Sequence, residues 1–219
     1  MKKILFSIFV ASTMLSSCSD GSKLEASDAE VVEVVENETT IELSNVDHTS
    51  SVDWRAWHFG GVGERFGKIY LNNVSALLNN DELTNLKVEI DMKSFTVDSF
   101  SEEEAEDKDQ LIEHLQSADF FDVENYPTAI FEMTKTETAT GDYNSTVTGN
   151  LTIMEVTKSI TFNANIEISE ENVSIHSEDF IVNRSDWGLT YHAEGSEGVP
   201  LDYIISDDLG FTINVDIKK

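Results

Sequence analysis

From Ser51 onward apolar residues recur at every second position, and that period commits the chain to strands. Leu86, Val88, Ile90 and Met92 alternate with Lys87, Glu89, Asp91 and Lys93. Ile160, Phe162, Ala164, Ile166 and Ile168 alternate with Thr161, Asn163, Asn165 and Glu167, and Leu209, Phe211, Ile213, Val215 and Ile217 repeat the pattern. Val147/Gly149/Leu151/Ile153 make a further full alternation, and Val52/Trp54/Ala56, Ile69/Leu71, Ala129/Phe131/Met133 and Val173/Ile175 are shorter versions. One apolar and one polar face per strand implies antiparallel sheet, solvated on one side. Gly141-Asp142, Glu170-Glu171-Asn172 and Asn79-Asn80-Asp81 supply turn chemistry between strands. No alternating βα pattern exists, so a doubly wound fold is excluded and a sandwich or barrel remains. Long strands with short connections favour an all-β, extended eight-stranded antiparallel barrel, a size that encloses one small ligand.

One segment breaks the period. Ser101 followed by Glu104 is a capping-box pattern, and Leu111, Ile112 and Leu115 form a small apolar stripe, so a helix is expected at about 101–116. It lies over the barrel or plugs an end. The acidic run from Glu102 to Asp109 reads as a solvated face before it reads as a cation site.

The N-terminus carries an address. Met1-Lys2-Lys3, an apolar run from Ile4 to Val10 and the ending Leu15-Ser16-Ser17-Cys18 have the layout of an export signal too short to span a bilayer. That ending resembles a bacterial lipobox, with cleavage over residues 1–17 and lipidation of Cys18, the chain's only cysteine. Residues 18–44 are acidic and lack aromatics, and are read as a flexible tether reaching roughly 25–30 Å from the lipid. Residues 45–219 are then the folded domain. With 14 Lys+Arg against 42 Asp+Glu, a net charge of −28, the chain has no basic patch for nucleic acid. The same charge opposes electrostatic docking to anionic membranes, leaving the anchor at Cys18 as the membrane contact.

Chemistry is sparse in the pattern. The histidines His48, His58, His114, His176 and His192 form no H-x-H or H-E-x-x-H pair, so no metal site is expected. Neither a G-x-S-x-G elbow nor a phosphate loop occurs, and Gly60-Gly61-Val62-Gly63 reads as a hairpin or bulge. No catalytic residue is singled out. An acidic hydrolase needs paired carboxylates in the interior, whereas the alternation puts acids outside.

Three stretches resemble one family. His114-Leu115-Gln116-Ser117-Ala118-Asp119-Phe120-Phe121-Asp122-Val123 runs on through Tyr126-Pro127-Thr128-Ala129. Val147-Thr148-Gly149-Asn150-Leu151-Thr152-Ile153 leads to Val156-Thr157-Lys158-Ser159-Ile160-Thr161-Phe162, and Phe180 to Leu189 contains Asn183-Arg184-Ser185-Asp186-Trp187-Gly188. In this order they resemble the YceI-like family of secreted, lipocalin-like bacterial proteins, from roughly Val46 onward. The chain departs from the family pattern at Met154-Glu155, where a turn glycine is usual, and in the loop His192 to Pro200.

The resemblance implies a barrel holding a polyisoprenoid, isoprenoid quinone or fatty amphiphile in an apolar tunnel, without enzymatic activity. No cofactor is implied beyond a bound isoprenoid lipid or quinone. Residues on the apolar strand faces are the candidate lining: Trp54, Leu71, Ile90, Phe131, Leu151, Phe162, Phe211 and Ile213, with Phe120 and Phe121 guarding an end. The same side chains equally suit a packed core. Arg184 and Asp186 are expected to be a structural pair, and Tyr126-Pro127 a rigid turn. The expected setting is the cell envelope, at the outer membrane facing the periplasm, with room for a homodimer. The rival reading is a packed barrel presenting its acidic surface to a protein partner.

Overall fold

The computed structural model describes residues 21–32, 39–43, 50–79 and 82–219. The export signal, Cys18 and His48 lie outside the described residues. In chain order the first strands are β1 (Ser22–Lys23), β2 (Ser27–Asp28), β3 (Thr39–Leu43), β4 (Ser51–His58), β5 (Val62–Asn79) and β6 (Glu82–Asp91). After the helix α1 (Ala105–Gln116) come β7 (Thr128–Thr138), β8 (Ser145–Ile153), β9 (Val156–Ile168), β10 (Asn172–Ser177), β11 (Phe180–Asn183) and β12 (Ile205–Lys218).

Strands β4 to β10 pair antiparallel in sequence order, β10 pairs with β12, and β12 returns to β4, from Asn214↔Ser51 to Leu209↔Ala56. The wall is therefore a closed barrel of eight strand positions. Strand β11 continues the line of β10 along β12, with Phe180 opposite Phe211. The alternation read from the sequence sets the pleat. Leu86, Val88, Ile90, Ala129, Phe131, Val147, Ile160, Phe162, Val215 and Ile217 are all buried in one core. The acids and threonines between them face outward, where Thr148 meets Thr161 and Thr152 meets Thr157 across β8 and β9.

The predicted glycine-containing turns form, whereas Asn80 and Asp81 of a third predicted turn lie outside the described residues. Phe59 to Gly61 joins β4 to β5 as a glycine-rich hairpin, and residues 139–144 join β7 to β8. Where the chain departs from the family at Met154-Glu155, the tight β8–β9 turn survives, with Met154 itself at φ 52 in the left-handed region. That conformation costs a non-glycine residue about 1 kcal/mol. Tyr126 reaches this turn: its hydroxyl is held above its ordinary pKa first by desolvation, then by the charge and hydrogen bond of Glu155.

The helical segment begins as a short 3-10 turn, Glu102–Glu104, before α1. The Glu104 carboxylate accepts from the Ser101 backbone N–H at 3.0 Å and from its hydroxyl at 2.8 Å, which fixes the start. Leu115 is buried, with Leu111 and Ile112 packed against the core, so α1 lies over one end of the barrel.

The expected flexible tether is corrected over its described part. Strand β11 has β12 on one side only, and β1 pairs with its other edge in parallel, Ser22 with Phe180 and Lys23 with Ile181. Strand β2 then pairs with β9 at Ser159 and Lys158, so residues 21–28 fill the seam between β9 and β11. Strand β3 covers the edge of β5 opposite β6, from Thr39↔Leu78 to Leu43↔Val74. The physical reason is edge satisfaction. Unpaired backbone N–H and C=O groups in a barrel wall recruit any extended segment, whatever its side chains. Leu24 and Ala26 add apolar contact with the core.

Asn150 of β8 fastens the far end of this segment. Its Oδ1 accepts from the Glu30 N–H at 2.8 Å and its Nδ2 donates to the Glu30 carbonyl at 2.7 Å. Asn150→Ala removes both bonds and is expected to cost the docked segment about 1–3 kcal/mol. Limited proteolysis should then cut between residues 21 and 32 several-fold faster than in the parent. Equal cleavage rates would show that Asn150 has no such role.

A candidate ligand site inside the barrel

The inward side chains do not meet completely at the axis. Three apolar chambers follow one another down the barrel, and each shares lining residues with the next. The first, of about 390 Å³, opens at the end covered by α1. That is within the range of roughly 300–1,000 Å³ common for small-molecule sites. Strand β4 contributes Trp54, Ala56 and His58, β5 contributes Arg65 and Ile69, α1 contributes Leu111, His114 and Leu115, and β12 contributes Leu209 and Phe211. Phe120, Phe121, Leu189, Tyr191, His192 and Tyr203 complete it from the loops.

Ile69, Phe121 and Phe211 also border a second chamber of about 60 Å³. Val52, Ile90, Phe131 and Ile213 lead from there to a third of about 20 Å³, closed by Met133, Phe162 and Ile175. Neither deeper chamber exposes any polar atom. The Phe131 ring lies over Gly149 of the neighbouring β8, where a Cβ would lie 2.3 Å from the Phe131 Cζ. Phe131, Phe162, Phe180 and Phe211 then form a chain of ring contacts with centroids 5.1–6.1 Å apart.

The rim is aromatic. His114 meets Phe120 and Tyr191 edge-on at 5.0 and 4.9 Å, and Tyr191 stacks on His192 at 4.0 Å. The loop from His192 to Pro200, the second departure from the family pattern, therefore begins in the chamber wall. His192 Nδ1 lies 3.1 Å from the Tyr203 carbonyl, which draws the two loops together. Phe59, Val62 and Leu201 are exposed, as is Tyr203 in the chamber wall.

Arg184 supports this end of the barrel. It is 1% exposed, and its guanidinium donates to the carbonyls of Ser206 at 3.0 Å, Leu189 at 2.8 Å and Ile205 at 3.2 Å. Burial lowers its pKa from the ordinary value, while Asp207 and Glu194 oppose that shift. Its ion-pair partner is Asp207, at 3.5 Å, which corrects the expected pairing with Asp186. Asp186 is exposed in the 3-10 turn Arg184–Trp187, whose geometry points it to solvent while Arg184 and Trp187 are buried. Trp187 donates from Nε1 to the Leu151 carbonyl at 2.9 Å.

Of the ten side chains predicted to line a tunnel, Trp54, Phe120, Phe121 and Phe211 border the first chamber. Ile90, Phe131, Leu151 and Ile213 border the second, and Phe162 the third. Leu71 is buried in the core but borders none of the three chambers. Sequence reasoning missed Arg65, His58, Leu111, Tyr191 and His192. Alternation from Trp54 through Ala56 to His58 carried the signal for His58, and the hairpin register carries it on to Arg65, opposite Ala56. Among the described residues no group of three His, Cys, Asp or Glu is placed to hold a metal ion.

Comparison with known proteins agrees with this architecture. Residues 33–217 match the YceI-like domain, starting upstream of Val46. The UPF0312 protein of Pseudomonas putida strain F1 is 42% identical over 78 residues, 36% of this chain and 36% of its own length. The matched stretch thus spans about a third of that relative. Among solved structures, the YCEI protein of Campylobacter jejuni gives a TM-score of 0.50 at 25% identity, over 69% of this chain and 84% of that one. BcnA of Burkholderia cenocepacia gives 0.54 at 16% identity, covering 78% and 99%, a likeness of fold.

Proposed function

Because the chain belongs to the YceI-like family, we propose that it binds an apolar chain, a polyisoprenoid, an isoprenoid quinone or a fatty amphiphile, inside the barrel. The observation that carries this reading is the column of three linked apolar chambers opening at one end. Binding of this kind works by burial, at roughly 0.8 kcal/mol per methylene removed from water. It asks for no catalytic group, and the protein is read as a carrier or store. The setting proposed is the cell envelope, at the outer membrane facing the periplasm, held through acyl chains on Cys18.

A specific observation supports the rival reading for the lower barrel. The two deeper chambers, about 60 and 20 Å³, are nearly filled by their own side chains. A chain passing Phe131 must displace them, whereas the mouth chamber needs no rearrangement. A packed barrel presenting acidic strand faces to a protein partner fits that lower half.

Native mass spectrometry on protein purified without detergent, with organic extraction of the same sample, separates the two. A bound polyprenyl or acyl compound of several hundred daltons is the expected result. A bare mass, unchanged after incubation with quinones and polyprenols, overturns the carrier reading. Ile213→Phe adds a second check, because Ile213 borders both deeper chambers. It should weaken binding of chains long enough to pass it by about tenfold or more, the loss of some two buried methylenes. Chains that fill only the mouth should bind as before.

A further inference from the structure

The chain contains three arginines, Arg55, Arg65 and Arg184, and all three border the mouth chamber, together with His58, His114 and His192. Among the described residues no aspartate or glutamate borders it. In a chain with 42 acids this is the reverse of the overall composition. The carboxylates lie behind the wall: Asp179 meets Arg55 at 3.1 Å, Asp207 meets Arg184 at 3.5 Å and Asp119 meets His114 at 3.5 Å.

The three arginines differ in what they have left to offer. Arg55 stands opposite Phe66 on the outward face of β4, turned to Asp179. Arg184 is committed to three backbone carbonyls. Arg65 stands opposite Ala56 on the inward face, and its guanidinium lies 4.4 Å above the Phe100 ring. It donates to the Glu64 carbonyl at 3.1 Å and makes no ion pair among the described residues. The Glu104 carboxylate, held below its ordinary pKa first by the Ser101 backbone and hydroxyl bonds and last by the charge of Arg65, is committed to the helix cap. In the same wall the buried Nδ1 of His58 has no hydrogen-bond partner among the described residues.

A guanidinium held over an aromatic ring, with donors to spare, is suited to an oxyanion. An unpaired imidazole nitrogen beside an apolar column asks for a polar partner. We propose that the mouth chamber seats the oxyanion head of a single-chain amphiphile, a carboxylate or a phosphate monoester. Arg65 supplies the charge, His58 Nδ1 is the second contact, and the tail runs down the barrel. This rests on the tunnel reading above and names the class of its ligand. It sets a fatty acid or an alkyl phosphate apart from a neutral amide, alcohol or quinone of the same length.

The test is titration of the purified protein, below micelle concentrations, with palmitate, hexadecyl phosphate, hexadecanol and hexadecyltrimethylammonium. At least one of the two anions should bind about tenfold more tightly than the alcohol, and which one leads identifies the head. Arg65→Gln should bring that ratio close to one, and Arg65→Lys should restore most of it. Equal affinity for acid and alcohol, or a preference unchanged in Arg65→Gln, overturns the headgroup proposal and leaves the tunnel standing. No binding by any of the four removes the tunnel reading, and the headgroup proposal with it.

Discussion

Gly67→Ala should destabilise the protein by about 3 kcal/mol or more, the largest effect expected of any single methyl group here. Gly67 sits in β5 opposite Trp54, at the point where the connection after β6 runs along the free edge of β5. That connection is fastened by backbone bonds, Thr96 N–H to the Lys68 carbonyl and Asp98 N–H to the Phe66 carbonyl, each at 2.8 Å. A Cβ on residue 67 would lie 2.0 Å from the Thr96 carbonyl oxygen and 2.7 Å from its carbon. The obstacle is backbone, so no side-chain rotation relieves it. The same oxygen accepts the Trp54 Nε1 hydrogen bond at 3.1 Å, so displacing it also loosens the mouth chamber. Gly210→Ala is the matched control. Its Cβ would meet the far end of the Trp57 side chain at 3.1 Å, a contact relieved by a shift of a few tenths of an ångström, and a cost below about 1 kcal/mol is expected. Denaturant unfolding of both variants measures the difference, and similar midpoints would contradict the clash argument.

The second large effect is expected at Arg184. Replacing it with methionine keeps much of the volume but withdraws the donors from three carbonyls and leaves Asp207, itself largely covered, without its partner. Removing one member of a buried pair costs about 3–5 kcal/mol, and an unfolding free energy lowered by that amount is expected. Lysine should not rescue it, because a single ammonium cannot span acceptors arranged for a planar fork. A methionine variant as stable as the parent would mean that water replaces the guanidinium without penalty.

The strand pattern was legible because a closed barrel imposes one inward face on every strand. Ile90, Phe131 and Phe162 could be placed inward from their neighbours alone. Whether an inward residue borders open space was not legible, as Leu71 shows, since that depends on what stands across the axis. The partner of Arg184 was invisible for a related reason. Asp186 is close along the chain, while Asp207 reaches Arg184 only after the chain has passed through the loop from Leu189 to Tyr203 and back into β12. The docking of residues 21–32 was hidden most completely, because backbone pairing leaves no trace in side-chain composition.

That docked segment also bears on how quickly the protein can reach its native state. Its contacts join residues 156 apart at Ser22–Glu178 and 185 apart at Lys23–Asp208, while the closing pair of the barrel ties Ser50 to Asp216 across 166. Hairpins such as β8–β9 can form as soon as both arms are free, but the wall cannot close, nor the seam seal, until β12 is in place. Topologies dominated by such distant contacts fold slowly, on the order of milliseconds to seconds. Throughout that interval the apolar interior stays open along a seam rather than only at the mouth.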